Sequence, residues 1–559
     1  MAPGSAGRRW TGLGLALAVA LTSTPAAALE FNVGDTRVRL DITESLFLDW
    51  NFHLDDAQIL RDEDKSHIFD LRNRLNIRLR LDPIVFGVRL DAAWFPNPPR
   101  NPGQPTQYRD DFRPEELFVT GRFGPVTLTL GDDYVTFGRG IALSLRKLDE
   151  LGFATSLRGI HAQWRHPLVT TRLSAGMTNV VNVDMVEEKF VPDPNDLIVG
   201  ARVETRPFPW LRVGGHVVDI ERRHSAARDA IVGTLTGDDD VAPINNTRFV
   251  RTLIGGVNIE IPSLADALSI YAEVDWLRGE NERVTATGLR EDPHEGFAFY
   301  GQVQGFAGPL TILAEFKHYD RFEVTSTLHP ATAQQQGITQ TFNYVMPPTL
   351  ERVDQRIFNN HNVTGGRLRL DYAIPDARQS FFVSGLYFVD APGDDEHTVH
   401  VYGGYEHTGE GGNRLLLQAG YRREAAPRED LVRLRMIHLD LDVFHVFSER
   451  ADMQFHLSHM MRDTNIGARA LQDTYLEGTS YVSFNLPPRW SLTAQFEYLT
   501  SAATRNPIFP GAFVQYFFTS DSYLRLFVGR SKGGLKCSGG VCRIFPNFEG
   551  VRLEATVRF

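Results

Sequence analysis

Hydrophobic and polar residues alternate with a period of two along most of the chain, in segments of about ten residues. The clearest runs from Leu75 to Leu81, where Leu75, Ile77, Leu79 and Leu81 share one side and Arg74, Asn76, Arg78 and Arg80 the other. A helix would scatter those arginines around its circumference, whereas a pleated strand sends successive side chains to opposite faces. The pattern returns in Phe86, Val88, Leu90, Ala92 and Trp94 against Gly87, Arg89, Asp91 and Ala93, and in Leu268 to Trp276 against Ser269, Tyr271, Glu273 and Asp275. It recurs in Ile437, Leu439, Leu441 and Val443 against His438, Asp440, Asp442 and Phe444, and it closes the chain from Val551 to Phe559. These segments predict an all-β chain. Beyond the first residues, no apolar run is long enough for a spanning helix.

A soluble sandwich also alternates, so connector lengths must discriminate. Short connectors fall at Asp82-Pro83, Gly124-Pro125, His166-Pro167, Arg206 to Trp210, Pro262 to Asp266, Ala307 to Pro309, Ile374 to Asp376, Gly411 to Asn413, Pro487-Pro488 and Thr519 to Ser522. The intervening connectors are mostly longer and polar, the longest at 223–247, 320–361 and 531–549. A barrel inserted through a membrane from one side sorts its loops by end in this way, and a sandwich has no reason to. The prediction is a transmembrane antiparallel up-and-down β-barrel of about 24 strands, within a range of roughly 22 to 26. Trp94 and Trp276 fall near the long connectors and Trp164, Trp210 and Trp490 near the short ones, as two interfacial girdles require.

An even strand count returns the chain to its starting side, where Phe559 ends the last strand. A terminal aromatic on an alternating strand resembles the C-terminal signature of Gram-negative outer-membrane β-barrel proteins, porin-like and without a plug domain. The resemblance implies an integral outer-membrane location, insertion by the barrel-assembly machinery, and lipid and lipopolysaccharide as surroundings. The N-terminus agrees. Arg8 and Arg9 precede an apolar stretch from Trp10 to Leu21, and Pro25-Ala26-Ala27-Ala28 supplies a small-residue cleavage pattern, so 1–28 reads as a signal peptide and 29–559 as the barrel.

Apolar residues are 42% and charged residues 23%, which excludes a disordered chain. Removing Arg8 and Arg9 changes 58 basic against 69 acidic residues to 56 against 69, a net charge of −13. With no long basic run, nucleic acid is excluded as a partner.

Strands about 4.8 Å apart and tilted by about 40° would, at this count, enclose a cylinder roughly 45 Å across. An empty lumen of that width would leak. A strand is expected almost directly after the signal peptide, leaving no room for a plug, so external loops or a separate lumenal or periplasmic protein must narrow it. The segment Phe137 to Phe153 is too apolar for a solvated loop, and glycines flank it, so it is expected to fold inward as a constriction carrying Arg139, Arg146 and Lys147. Leu143 to Leu151 would fit a short helix. Asp320 to His361, with the stiff Met346-Pro347-Pro348-Thr349-Leu350, is a second candidate. The residues opposite the apolar faces would line the lumen, among them Arg74, Arg78, Arg80, Arg89, Asp91, Arg202, Glu273, Asp275, Glu315, Lys317, Arg367, Arg369, His438, Asp440 and Asp442. An arginine-rich early wall facing acidic strands would set up a transverse field that selects polar solutes, while pairing of neighbouring charges is the plainer use of the same residues.

Cys537 and Cys542 are the only cysteines, in the last external loop, where a disulfide would stiffen a tip. Acidic clusters at Asp55-Asp56, Asp62 to Asp64, Asp238 to Asp240 and Asp394 to Glu396 read as solvated. There is no Gly-x-Ser-x-Gly elbow, no His-Glu-x-x-His and no phosphate loop. His438, Asp440, His456 and His459 are the nearest thing to a reactive constellation, and no catalytic residue, cofactor or metal site is assigned. The expected function is an outer-membrane channel for polar or charged solutes, not an enzyme. The alternatives are a barrel in a secretion, polysaccharide-export or surface-motility assembly and, last, an outer-membrane enzyme.

Overall fold

The computed structural model describes residues 29–34, 36–53, 66–97, 108, 110–148, 151–181, 183–184, 189–190, 195–222, 247–285, 288–291, 293–322, 324–328, 340–351, 362–390, 396–426, 431–466, 472–502, 504, 506–538, 541–545 and 547–559. The signal-peptide reading and the acidic clusters of 55–56, 62–64 and 238–240 lie outside these residues, as do Asp394, Asp395, Asp149 and Glu150.

The chain folds into one closed antiparallel barrel. Its strands are β1 (Thr36–His53), β2 (Ser66–Leu81), β3 (Ile84–Trp94), β4 (Asp111–Phe123), β5 (Val126–Asp133), β6 (Ser156–Arg165), β7 (Val169–Asn179) and β8 (Leu197–Phe208). There follow β9 (Leu211–Glu221), β10 (Thr247–Leu264), β11 (Leu268–Thr285), β12 (His294–Ala307), β13 (Leu310–Asp320), β14 (Val363–Ile374), β15 (Gln379–Asp390) and β16 (Glu396–Thr408). The last third comprises β17 (Arg414–Ala426), β18 (Leu431–Ser448), β19 (Ala451–Ile466), β20 (Asp473–Leu486), β21 (Trp490–Leu499), β22 (Ile508–Phe517), β23 (Tyr523–Ser531) and β24 (Phe548–Arg558). Each strand pairs with the next, and β24 returns to β1 in a register running from Thr43 opposite Arg558 to Asn51 opposite Gly550. Phe559 completes the seam: it exchanges two backbone hydrogen bonds with Ile42, of 2.8 and 3.1 Å. The strand Leu29–Val33 pairs with Thr36 to Leu40 and so continues that edge of β1 beyond Phe559.

The two ends of the barrel differ as the connector lengths require. Tight turns join β2 to β3, β4 to β5 and every later pair of that phase, including Glu449-Arg450 between β18 and β19, while the long connectors emerge at the other end. Apolar side chains cover the outside: Leu253, Val257 and Ile259 on β10, Phe381 and Val383 on β15, and Leu492 and Phe496 on β21 are all exposed. A continuous apolar exterior of this kind is a lipid-facing band. Trp276 stands exposed toward the long-connector end of β11, and Trp164, Trp210 and Trp490 lie at the short turns.

The hydrophobic core lies inside the cylinder. Toward the long-connector end of β8 to β10 the inward positions turn apolar, with Ile198, Val218, Ile220 and Ile254 buried, and on β9 and the start of β10 the outward ones turn polar: Glu221 is exposed and Asp219 pairs with Arg251 at 2.8 Å. Above a lipid band the outer face meets water and the apolar face needs a partner within. That partner is the connector between β5 and β6.

Candidate functional site

Val135, Phe137, Ile141, Ala142, Leu143 and Leu145 are buried to within 1% of complete exclusion, packed with the inner faces of β6 to β15. Gly138 and Gly140 bring this about. With φ of +54° and +83° they take up left-handed backbone that other residues adopt at a cost, and the N–H of Gly140 closes the reversal on Phe137 O at 2.9 Å. Across 143–148, the described start of the expected helix, no helical turn forms: Leu143–Ser144 and Lys147–Leu148 are extended instead. The backbone groups of this stretch bond to distant chain. Leu145 N–H donates to Val135 O at 2.8 Å and Ser144 N–H to Tyr344 O at 2.7 Å.

Tyr344 opens a second inward segment, Tyr344 to Glu351, whose Met346, Thr349, Leu350 and Glu351 are buried. Met346 N–H donates to Gly140 O at 2.9 Å, so the two segments hold each other. The Tyr344 hydroxyl donates to Asp196 at 2.6 Å, and burial beside that carboxylate raises its pKa well above the phenol range, keeping it a donor. Glu351 reaches the far wall, where His400 Nδ1 lies at 2.8 Å and Arg422 at 3.3 Å. His400 Nε2 meets His438 Nε2 at 3.0 Å, and His438 Nδ1 meets Asp440 at 2.9 Å, so one hydrogen-bonded chain joins the inward segment to the lumen wall.

The lumenal residues read from the sequence fall into three groups. Arg74 pairs with Asp91 at 3.3 Å, Arg89 with Asp91 at 3.3 Å and Arg80 with Asp41 at 3.6 Å. Arg78 lies exposed over the Phe118 ring at 5.8 Å, and like Arg80 it sits toward the short-turn end, away from the inward segments. Arg139 joins Glu273 and Asp275: its N–H donates to Glu273 Oε2 at 2.8 Å, and its guanidinium lies 4.4 Å from the Tyr271 ring. Arg146 donates to Ser144 Oγ at 2.8 Å, burial holding its guanidinium below its ordinary pKa, and Lys147 is exposed. His438, Asp440 and Asp442 form the third group, Asp442 with His456 at 2.8 Å. The four-residue constellation is divided, because His459 bonds Tyr498 on the outer face across Gly478. No motif in the sequence singles out His216, Tyr344, Glu351 or His400. Alternation along β9 and β16 is the signal that puts His216 and His400 on inward faces, but nothing local tells what they meet.

Where the two segments meet the wall of β12 to β14 there is a cavity of about 460 Å³, its lining including Arg139, Tyr300, Glu315, Pro348, Arg367 and Arg369. Arg367 pairs with Glu315 at 2.8 Å and Arg369 with Asp371 at 2.6 Å, and Tyr300 donates to Glu315 at 2.7 Å. With Asp371 counted beside Arg369, three guanidiniums stand against two carboxylates, which leaves the hollow weakly basic.

Residues 433–559 match the model of a family of unknown function (DUF6029). This stretch runs from inside β18 to the C-terminus and contains neither inward segment. No curated protein matches the chain. Similar solved structures include the siderophore receptor PirA from Pseudomonas aeruginosa, 9% identical over 96% of this chain and 81% of that one, with a TM-score of 0.46. The P pilus usher (PapC) translocation pore is 9% identical over 93% and 99%, with a TM-score of 0.37. OccK11 (OpdR) of Pseudomonas aeruginosa is 10% identical over 71% and 95%, with a TM-score of 0.35. These likenesses concern architecture and leave the family of the chain open.

Proposed function

We propose that the protein is an outer-membrane channel that passes polar or charged solutes through a lumen narrowed by its own two inward segments, with a preference for anions at the narrow part. The observation that carries this reading is the cavity whose lining brings together Arg139 of the first segment, Pro348 of the second, and Arg367 and Arg369 of β14. Such donors, partly desolvated, replace the hydration of a carboxylate or phosphate, while their own ion pairs keep binding weak enough for release. The wall that the segments leave uncovered supports a wet path: Asp442 and Arg525 expose 36% and 42% of their side chains there.

The test is planar-bilayer conductance of the purified full chain, with reversal potential under a salt gradient. Stable steps with anion preference are expected, and the preference should fall at least about twofold when Arg139, Arg367 and Arg369 are together changed to Ser. Unchanged selectivity in that variant would remove the cavity from the path. A barrel that seals the bilayer and copurifies with a periplasmic or lumenal protein would favour the assembly alternative.

A further inference from the structure

The wall behind the first inward segment holds a second feature that the channel reading does not use. His216 on β9 and Asp275 on β11 both lie opposite Gly256 of β10 in the register, and their side chains meet across it, with His216 Nε2 2.6 Å from Asp275 Oδ1. A Cβ at position 256 would stand 1.9 Å from that oxygen and 2.5 Å from that nitrogen, so only glycine leaves the space open. One rung away Asn258 lies opposite Glu273. Glu273 Oε2 accepts from the Tyr271 hydroxyl and from the Arg139 N–H. Glu273 Oε1, Asp275 Oδ2, His216 Nδ1 and Asn258 Oδ1 have no hydrogen-bond partner among the described residues, although all are buried. One ligand atom from each of His216, Glu273 and Asp275 lies within 4.8 Å of the others.

Glu273 and Asp275 are fully buried, and among the described residues neither pairs with a lysine or arginine. Of the nearby guanidiniums, Arg139 lies over the Tyr271 ring and Arg202 pairs with Glu204 at 3.0 Å while its Nη1 stays without a partner among the described residues, so neither forms an ion pair with these carboxylates. Two buried carboxylates without a counter-ion are costly, and unpartnered oxygens beside them add to the cost. A cation removes both penalties together. One imidazole nitrogen with carboxylate oxygens is the donor set of Zn²⁺, Mn²⁺ or Fe²⁺, whereas Ca²⁺ and Mg²⁺ favour oxygen alone.

We propose that His216, Glu273 and Asp275 bind one divalent transition-metal ion, which locks the first inward segment to the barrel wall. When the metal takes the place of the proton between His216 and Asp275, the neutral imidazole keeps one proton, on Nδ1, and ligates through Nε2; any second proton held by the pair leaves to solvent. The link to the segment is Glu273, whose other oxygen holds the Arg139 N–H, and whose Oε1 would stand 1.9 Å from a Cβ at Gly138. Phe137, its ring 6.1 Å from that of His216, and Arg139, its N–H on Glu273, both lie against the site, so the ion is expected to load before the segment docks. Metal binding here requires no solute, and a barrel that sealed a bilayer would still hold the ion.

The experiment refolds the full chain in detergent with Zn²⁺ or Co²⁺ as the only added metal, or with chelator, and measures retained metal after gel filtration. About one ion per chain is expected, with a visible Co²⁺ band and a roughly tenfold slower tryptic cleavage at Arg139 and Arg146 than in the chelated protein. His216→Ala with Asp275→Asn should lose the ion and the protection. If that variant does not fold, the wild-type stoichiometry and Glu273→Gln, which keeps the shape of the side chain, decide the matter. A folded wild-type barrel that retains no ion would overturn the proposal in favour of a proton-sharing cluster, and retention of the ion by the folded double variant would overturn it by placing the metal elsewhere.

Discussion

Phe137 shows how one side chain seats a long connector inside a barrel. Its ring fills the space over Gly200 of β8, where a Cβ would stand 2.7 Å from Cε2, and lies 6.1 Å from the His216 ring. Truncating a buried phenylalanine costs about 3–5 kcal/mol where the site cannot collapse. Phe137→Ala is therefore expected to release the segment and speed proteolysis at Arg139, with the barrel intact by its resistance to heat before electrophoresis. Gly200→Val should have the same effect from the other side of the contact, since a branched side chain there displaces the ring. A protease pattern unchanged in both would show that the segment is held without Phe137.

At the scale of elements, the connector between β5 and β6 is better described as a strand-like inner layer than as a loop. Local propensity over Leu143 to Leu151 suits a helix, but the hydrogen bonds offered by Val135 and Tyr344 are made to extended backbone, and tertiary context overrides propensity. Deleting residues 140–152 should raise single-channel conductance, because it removes a layer that fills part of the lumen. Equal conductance would assign the narrowing to the second segment. The hairpin of Gly534–Ser538 and Val541–Phe545 sets Cys537 directly opposite Cys542. A disulfide is the expected state, read as absence of thiol labelling before reduction. Changing both residues to Ser should leave the heat resistance of the barrel unaltered, since the bridge would close a tip of only six residues, from Cys537 to Cys542.

For the whole molecule the decisive contact is the seam between first and last strands. Asp49 of β1 is fully buried and receives Arg72 of β2 on one side and Arg552 of β24, at 2.8 Å, on the other, so one carboxylate ties three strands across the closure. Removing one partner of a buried ion pair costs about 3–5 kcal/mol where it strands the other charge; here Arg72 keeps Asp70 at 2.7 Å and Arg552 is 37% exposed, so the loss is expected to be smaller. Asp49→Ala should lower the temperature at which the barrel loses its fast electrophoretic migration, while Asp49→Asn, which keeps one acceptor oxygen, should lower it less. Equal behaviour of wild type and Asp49→Ala would mean that backbone pairing and the Ile42–Phe559 closure hold the seam alone.

Strand order, the phase of the turns and the sorting of side chains between lipid and lumen were all legible in the sequence, because each follows from a period of two and from connector length. The turn at Glu449-Arg450 leaves no mark in the sequence, because it carries neither Gly nor Pro. The excess of apolar residues from Phe137 to Phe153 announced an inward connector for the same local reason: they had no lipid to face. What that connector would touch was decided only by the closed barrel. Its partners, Tyr344, Glu273, Ile198 and Val218, lie tens to hundreds of residues away, and the inverted alternation of β9 makes sense only once an apolar layer is seen inside. His216, Gly256 and Asp275 belong to three strands, and neither the spacing 216 to 275 nor any motif connects them. Antiparallel register does, because it turns positions far apart in the chain into neighbours on one rung, and register is set by the pairing of whole strands.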